Sequence, residues 1–242
     1  MSLLTRIAKR GFQTINRNPW VSVWPAVERP EGRWYHYDGL WTKHAQPFLD
    51  DPAFQHAYAR SVAAAGWDYR IPWRLHTILW AAAAGAKLDG AFVECGTGRG
   101  FMASGICDYL GWSDRPFYLF DTFLPSAPES HGAYYATSQD APAENFHEWP
   151  GVELVVGRIP DTLATVSIER VAFLHVDMNN PDAEEAAVRH FWPGLVPNAA
   201  MIYDDYGFPN FESSRIRADK VAADLGFQIL ALPTGQGLVI KS

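Results

Sequence analysis

Val93-Glu94-Cys95-Gly96-Thr97-Gly98-Arg99-Gly100 is the stretch that decides how this chain folds. An apolar run leads into it and a helical pattern leaves it, so its glycines fall at the carboxyl end of a strand, where open α/β sheets bind ligands. Glycines at alternate positions let the backbone come close to a ligand without Cβ clashes. A phosphate-cradling loop would need Gly-Lys-Ser/Thr, and there is no lysine here. A dinucleotide fingerprint would need a third glycine where Phe101 stands. The spacing is instead acid-x-Gly-x-Gly-x-Gly.

Outward from this loop, strands alternate with helices. Ala91–Glu94, Phe117–Asp121, Val152–Val156, Val171–Asp177, Ala199–Asp204, Gln228–Leu232 and Leu238–Lys241 read as strands. Gly100–Leu110, Asp182–Trp192 and Glu212–Leu225 read as the helices between them, the last stopped by Gly226. Asn180-Pro181-Asp182 opens the middle helix with a capping amide, a proline at the first position and acids in the first turn. Such alternation implies an α/β fold with a mostly parallel sheet covered on both faces. The short turn over residues 232–237 makes the final strand antiparallel. Ahead of residue 90 the texture changes. Seven of the ten tryptophans, Trp20, Trp24, Trp34, Trp41, Trp67, Trp73 and Trp80, lie there among helical patterns such as Pro52–Ala65 and Pro72–Ala86. The expected organisation is a helical, Trp-rich N-terminal extension or cap over residues 1–89 and a ligand-binding domain over 90–242.

Composition removes other classes. The 242 residues are 48% hydrophobic and 19% charged, with a net charge of −7, which excludes disorder as the main state. An acidic balance argues against a nucleic-acid ligand, since phosphate binding leans on clustered Lys and Arg. The longest apolar run, Ile78 to Ala86, is far short of the ~20 residues of a transmembrane segment. Cys95 and Cys107 make no disulfide framework, so a reducing, cytoplasmic setting is expected. Arg6, Lys9, Arg10 and Arg17 with Leu3, Leu4, Ile7 and Ile15 suit a surface helix or an oligomer contact such as a homodimer, with a weak anchor or transit-like peptide as the other readings.

The second strand ends at Asp121, about 20 residues beyond the glycines, where an acid can accept hydrogen bonds from ribose hydroxyls. With Glu94–Gly100 this pattern resembles motif I of class I S-adenosylmethionine (SAM) methyltransferases. Two later strands also end in acids, Phe173-Leu-His-Val-Asp177 and Met201-Ile-Tyr-Asp204-Asp205. In a parallel sheet Asp177, Asp204 and Asp205 share the edge of the glycine loop. Three such carboxylates repel one another unless protonated or bridged by a cation, and Mg²⁺ suits oxygen ligands. Asp204 or Asp205 as a mere cap of the turn at Tyr206-Gly207 is the other reading.

Together with Phe120-Asp-Thr-Phe123, Gly157-Arg-Ile-Pro-Asp-Thr-Leu163 and His175-Val-Asp177, these segments resemble the macrocin/mycinamicin (TylF-type) O-methyltransferases. That resemblance implies a Rossmann-like class I methyltransferase sheet and transfer of a methyl group to a hydroxyl of a small polyhydroxylated molecule, a natural-product sugar or a catechol. It assigns SAM to Glu94, Gly96, Thr97, Gly98, Arg99, Gly100, Asp121 and Thr122, and its adenine side to Gly157, Arg158 and Asp161. It assigns Mg²⁺ to Asp177, Asp204 and Asp205. Members of the family often read Asp-Gly-Asp at the fourth strand, the second Asp being a candidate base. Here the stretch is Asp177-Met178-Asn179, and the amide of Asn179 cannot take a proton at neutral pH. Either the metal then supplies the acidification or another residue is the base, and Asp177, Asn179 and His131, the last in the long segment from Thr122 to Trp149, are the catalytic candidates. Tyr134, Tyr135 and His147 share that segment, whose length suits a lid. His175 reads as a hydrogen-bonded core histidine. The departure at Asn179 keeps two alternatives open, a SAM-binding protein without activity and a metal-independent methyltransferase.

Overall fold

The computed structural model describes residues 35–37, 39–42, 44–123 and 140–242. The described residues of 46–123 and 140–242 belong to one compact unit. A separate two-stranded sheet pairs β1 (Tyr35–Tyr37) with β2 (Leu40–Thr42).

Seven strands build the main sheet: β3 (Ala91–Cys95), β4 (Phe117–Asp121), β5 (Val152–Val156), β6 (Val171–Val176), β7 (Leu195–Tyr203), β8 (Leu230–Ala231) and β9 (Gly237–Ile240). They lie in the order β5-β4-β3-β6-β7-β9-β8. The first five in this row run parallel, and β9 is antiparallel to both β7 and β8. This is the Rossmann-like methyltransferase sheet with the antiparallel final strand expected from residues 232–237. β3 and β6 are buried along their whole length, as strands in the middle of a parallel sheet are, and the polar residue in each, Glu94 and His175, is buried with them.

Six helices complete the described unit: α1 (Pro52–Ala65), α2 (Pro72–Gly85), α3 (Phe101–Leu110), α4 (Asp140–Phe146), α5 (Pro181–Phe191) and α6 (Glu212–Leu225). The Asn180 side chain caps α5 by accepting from the N–H groups of Asp182 and Ala183, and Gly226 ends α6 in the left-handed region. α1 lies along α3 so closely that a Cβ on Gly105 would stand 2.4 Å from Ser61 Oγ. α2 packs on β6 and β7, and α5 packs on β6 and α6. Thus α1 and α2, which precede the boundary expected at residue 90, share the compact unit of the sheet.

Two differences from the sequence reading have local causes. β7 begins at Leu195, four residues before the expected start, because Pro197 and Asn198 look like a turn but sit in a register shift against β6. α4 lies inside the stretch expected to be a connection. Among the described residues no helix is long and apolar enough to cross a membrane.

Candidate active site

The order of the sheet reverses beside β3: β4 and β5 lie to one side, β6 and β7 to the other. Ligands of open α/β sheets bind at such a switch point. Here the ladder bonds continue one residue past each strand, Gly96 N–H to Phe120 O, Asp177 N–H to Cys95 O, Asp204 N–H to Val176 O and Gly157 N–H to Asp121 O. They set Gly96, Asp121, Gly157, Asp177 and Asp204 along one carboxyl edge.

Gly96, Gly98 and Gly100 all have positive φ, 92°, 55° and 92°. At Gly96 the requirement is also steric, since a Cβ would come within 1.9 Å of the Asp177 carbonyl oxygen. Asp121 fastens the loop: its carboxylate accepts from Gly98 N–H at 2.7 Å and Phe123 N–H at 2.9 Å, with Thr122 Oγ1 at 3.4 Å. Asp121 stays partly exposed, with lone pairs left for a ligand's hydroxyls. Helix α4 closes the other side. Asn145 Nδ2 donates to the carbonyls of both Ala64 and Arg99, and a Cβ on Gly100 would meet the Phe146 ring at 2.6 Å. A glycine cradle, a carboxylate at its lip and a packed wall fit the aminoacyl and ribose parts of SAM. Arg158 and Asp161 are exposed beyond the end of β5. Thr97 is buried beneath the loop, beside Glu94.

Below the loop lies a buried chain of charges. Glu94 Oε1 meets His175 Nδ1 at 2.8 Å, and His175 Nε2 faces Asp204 Oδ1 at 3.6 Å, beyond hydrogen-bond reach. Burial pulls the imidazole down, but the two carboxylates outweigh it and raise its pKa to about 10. Asp204 then meets Arg74, Nη1 to Oδ2 at 3.1 Å, and Arg74 Nη2 reaches both the Asp204 carbonyl and Asp205 Oδ1. Gln236 Nε2, fully buried in the β8–β9 turn, donates to Asp204 Oδ1 at 2.8 Å. Burial alone would raise the Asp204 carboxyl, but Arg74, His175 and Gln236 hold it well below the usual range. For Asp177 the balance goes the other way: burial, then Asp204 and Asp205, push it well above an ordinary carboxylate.

His175, Asp177 and Asp204 place donor atoms within 4.8 Å of one another. This is the nearest approach to a metal set among the described residues, and it differs from the expected Asp177, Asp204 and Asp205. It does not suit Mg²⁺. His175 is tied to Glu94 through Nδ1, and Arg74, a resident cation, is already bonded to Asp204 and Asp205.

The remaining candidates fall elsewhere. Asn179 is exposed, with φ 54°, just before the Asn180 cap. His147 is exposed and its ring meets the backbone carbonyl of Glu144. His131, Tyr134 and Tyr135 lie outside the described residues, as do the basic N-terminus and Trp20, Trp24 and Trp34. Arg74, Asn145 and Gln236 escaped the sequence reading, because each sits in an ordinary helix or turn pattern with no motif around it.

Residues 93–206 match a protein family described as a methyltransferase domain. The chain carries a methyltransferase domain. Its methyltransferase domain holds the glycine loop at one end and the acids of β7 at the other. Among curated proteins none matches this methyltransferase in sequence. Solved structures share its fold. The O-methyltransferase NovP matches with 21% identity and a TM-score of 0.61, covering 81% of this chain and 93% of that one. CalS11, a calicheamicin methyltransferase, matches with 14% identity and a TM-score of 0.58 over 82% and 98%; it is also described as a TDP-rhamnose 3′-O-methyltransferase. An O-methyltransferase from Bacillus cereus in complex with S-adenosylhomocysteine (SAH) matches with 17% identity and a TM-score of 0.52 over 79% and 91%.

Proposed function

We propose that this methyltransferase is a TylF-type enzyme that moves the methyl group of SAM to a hydroxyl oxygen of a small polyhydroxylated molecule, a sugar diol in preference to a catechol. The observation that carries this reading is the contact between Gly96 and the Asp177 backbone, which sets the residue that bears this acid against the cofactor loop. The sugar substrate in the description of CalS11 and the O-methyltransferases of the same fold support the choice of acceptor.

SAM brings a methyl already activated on a sulfonium. The acceptor oxygen attacks the methyl carbon, a C–O bond forms, the C–S bond breaks with its electron pair going to sulfur, and SAH leaves. The protein must hold the two reactants in line and take the hydroxyl proton. Gly96, Gly98, Gly100 and Asp121 hold the donor, and Asp177 takes the proton. A base works best with a pKa closer to that of the working solution than an exposed carboxylate's, and burial beside Asp204 and Asp205 moves Asp177 that way. The Mg²⁺ that the family resemblance implies has no part in this step.

The test is transfer of radiolabelled methyl from SAM to a panel of nucleotide sugars, free sugars and catechols. Labelled methyl ether from a sugar diol, lost in Asp177→Asn with SAH affinity kept, is the expected result. SAH binding without transfer to any acceptor class would favour a SAM-binding protein without activity, the reading that Asn179 suggests.

A further inference from the structure

We propose that the guanidinium of Arg74 takes the place of a divalent cation at the acidic strand ends, so that the methyltransferase binds no metal there and its site is complete without one. The proposal rests on the reading of the site as a methyl-transfer centre and names the group that neutralises its acids.

Arg74 is built in rather than resting on the surface. It is 6% exposed and reaches the ends of β7 from the first turn of α2, by Nη1 to the Asp204 carboxylate and by Nη2 to the Asp204 carbonyl and Asp205 Oδ1. The Phe208 ring covers it at 5.5 Å, and Gln236 Nε2 ties its backbone carbonyl, at 3.4 Å, to Asp204. Its place in the helix is unfavourable twice over. A buried cation loses hydration, and a cation in a first turn opposes the helix dipole, where acids are the usual choice. A residue that breaks both rules is held by its partners, here Asp204 and Asp205.

A planar guanidinium presents its donors in a fixed fork, so that it bonds two carboxylates and a carbonyl from set directions, where a lysine ammonium is a compact point charge on a flexible stem. That is the work the family resemblance gives to a metal: holding the two adjacent acids in one arrangement and cancelling their repulsion. His175 does the same between Glu94 and Asp204. Asp177, the third strand-end acid, lies with its backbone carbonyl against Gly96.

Mn²⁺ titrated into the full chain saturated with SAH, followed by the paramagnetic resonance of the free ion, decides the matter. Wild type is expected to leave the free-ion signal unchanged into the millimolar range. Arg74→Met, and Arg74→Gln as the milder variant, uncover Asp204 and Asp205 and should bind Mn²⁺ at least about tenfold more tightly. Micromolar binding by wild type, abolished in Asp204→Asn, would overturn the proposal whatever the variants do. Folded Arg74 variants that bind Mn²⁺ no better than wild type would overturn it as well. SAH calorimetry on the same samples keeps the two ideas apart: failure of the cofactor to bind would defeat the methyl-transfer reading, while the Mn²⁺ titration would still report on Arg74.

Discussion

Glu184, in the first turn of α5, is buried and lines a small pocket with Tyr203, Asp205, Tyr206 and Ser214. Burial raises its pKa to about 7, and hydrogen bonds from the Ser214 side chain and from the backbone at Asn180 and Asn179 offset this only in part. The native state therefore keeps a proton that the unfolded chain releases near the ordinary value of 4.5. Stability contributed at acid pH is lost as pH rises from there through 7, and above that the penalty is constant. Glu184→Gln should stabilise the protein by about 1–3 kcal/mol at pH 8 and hardly at all at pH 4, read by urea denaturation at both values. Equal effects at the two pH values would mean that Glu184 is not held protonated. Gly96 marks the opposite kind of residue, one defined by space. Gly96→Ala should cost at least about 2 kcal/mol and remove SAH binding, because both the positive φ and the Asp177 carbonyl forbid a Cβ. Glycines of this kind are legible in a sequence, since only glycine answers the requirement. Arg74 is not, because its meaning comes from Asp204 and Asp205, about 130 positions away.

At the level of elements, α4 is what the sequence hid. It is only 7 residues long, has proline and acids within it, and lies in the segment Thr122–Trp149 that reads as a loop. Tertiary contacts hold it where propensity would not: Asn145 bridges α1 to the glycine loop, and the Phe146 ring covers Gly100. Asn145→Ala should weaken SAH binding several-fold and cost about 1–2 kcal/mol, since two backbone carbonyls lose their donor. SAH affinity equal to wild type would show that α4 is only a neighbour of the cofactor site. The strands and long helices were far easier to read. β4, β5 and α6 fall on the expected residues because apolar runs and a capping glycine bound them, whereas β7 overran its expected start at the register shift around Pro197.

On the scale of the whole molecule, one reversal of strand order gathers Gly96, Asp121, Asp177 and Asp204 from four strands into a single edge. The sequence placed each of them at a strand end, and parallel topology did the rest. What it could not give was the sharing of charge below that edge, where Glu94, His175, Asp204, Arg74 and Asp205 form one line, because such a line has no spacing signature. SAM binding at the glycine loop, with Asp121 at its lip, is the requirement on which methyl transfer depends. Calorimetric titration of SAH into wild type and Asp121→Ala, in the presence of a chelator, tests that claim most directly. Micromolar binding by wild type, weakened at least about tenfold in the folded variant, is the predicted result. Equal affinity of the two proteins, or no heat from either, would contradict it.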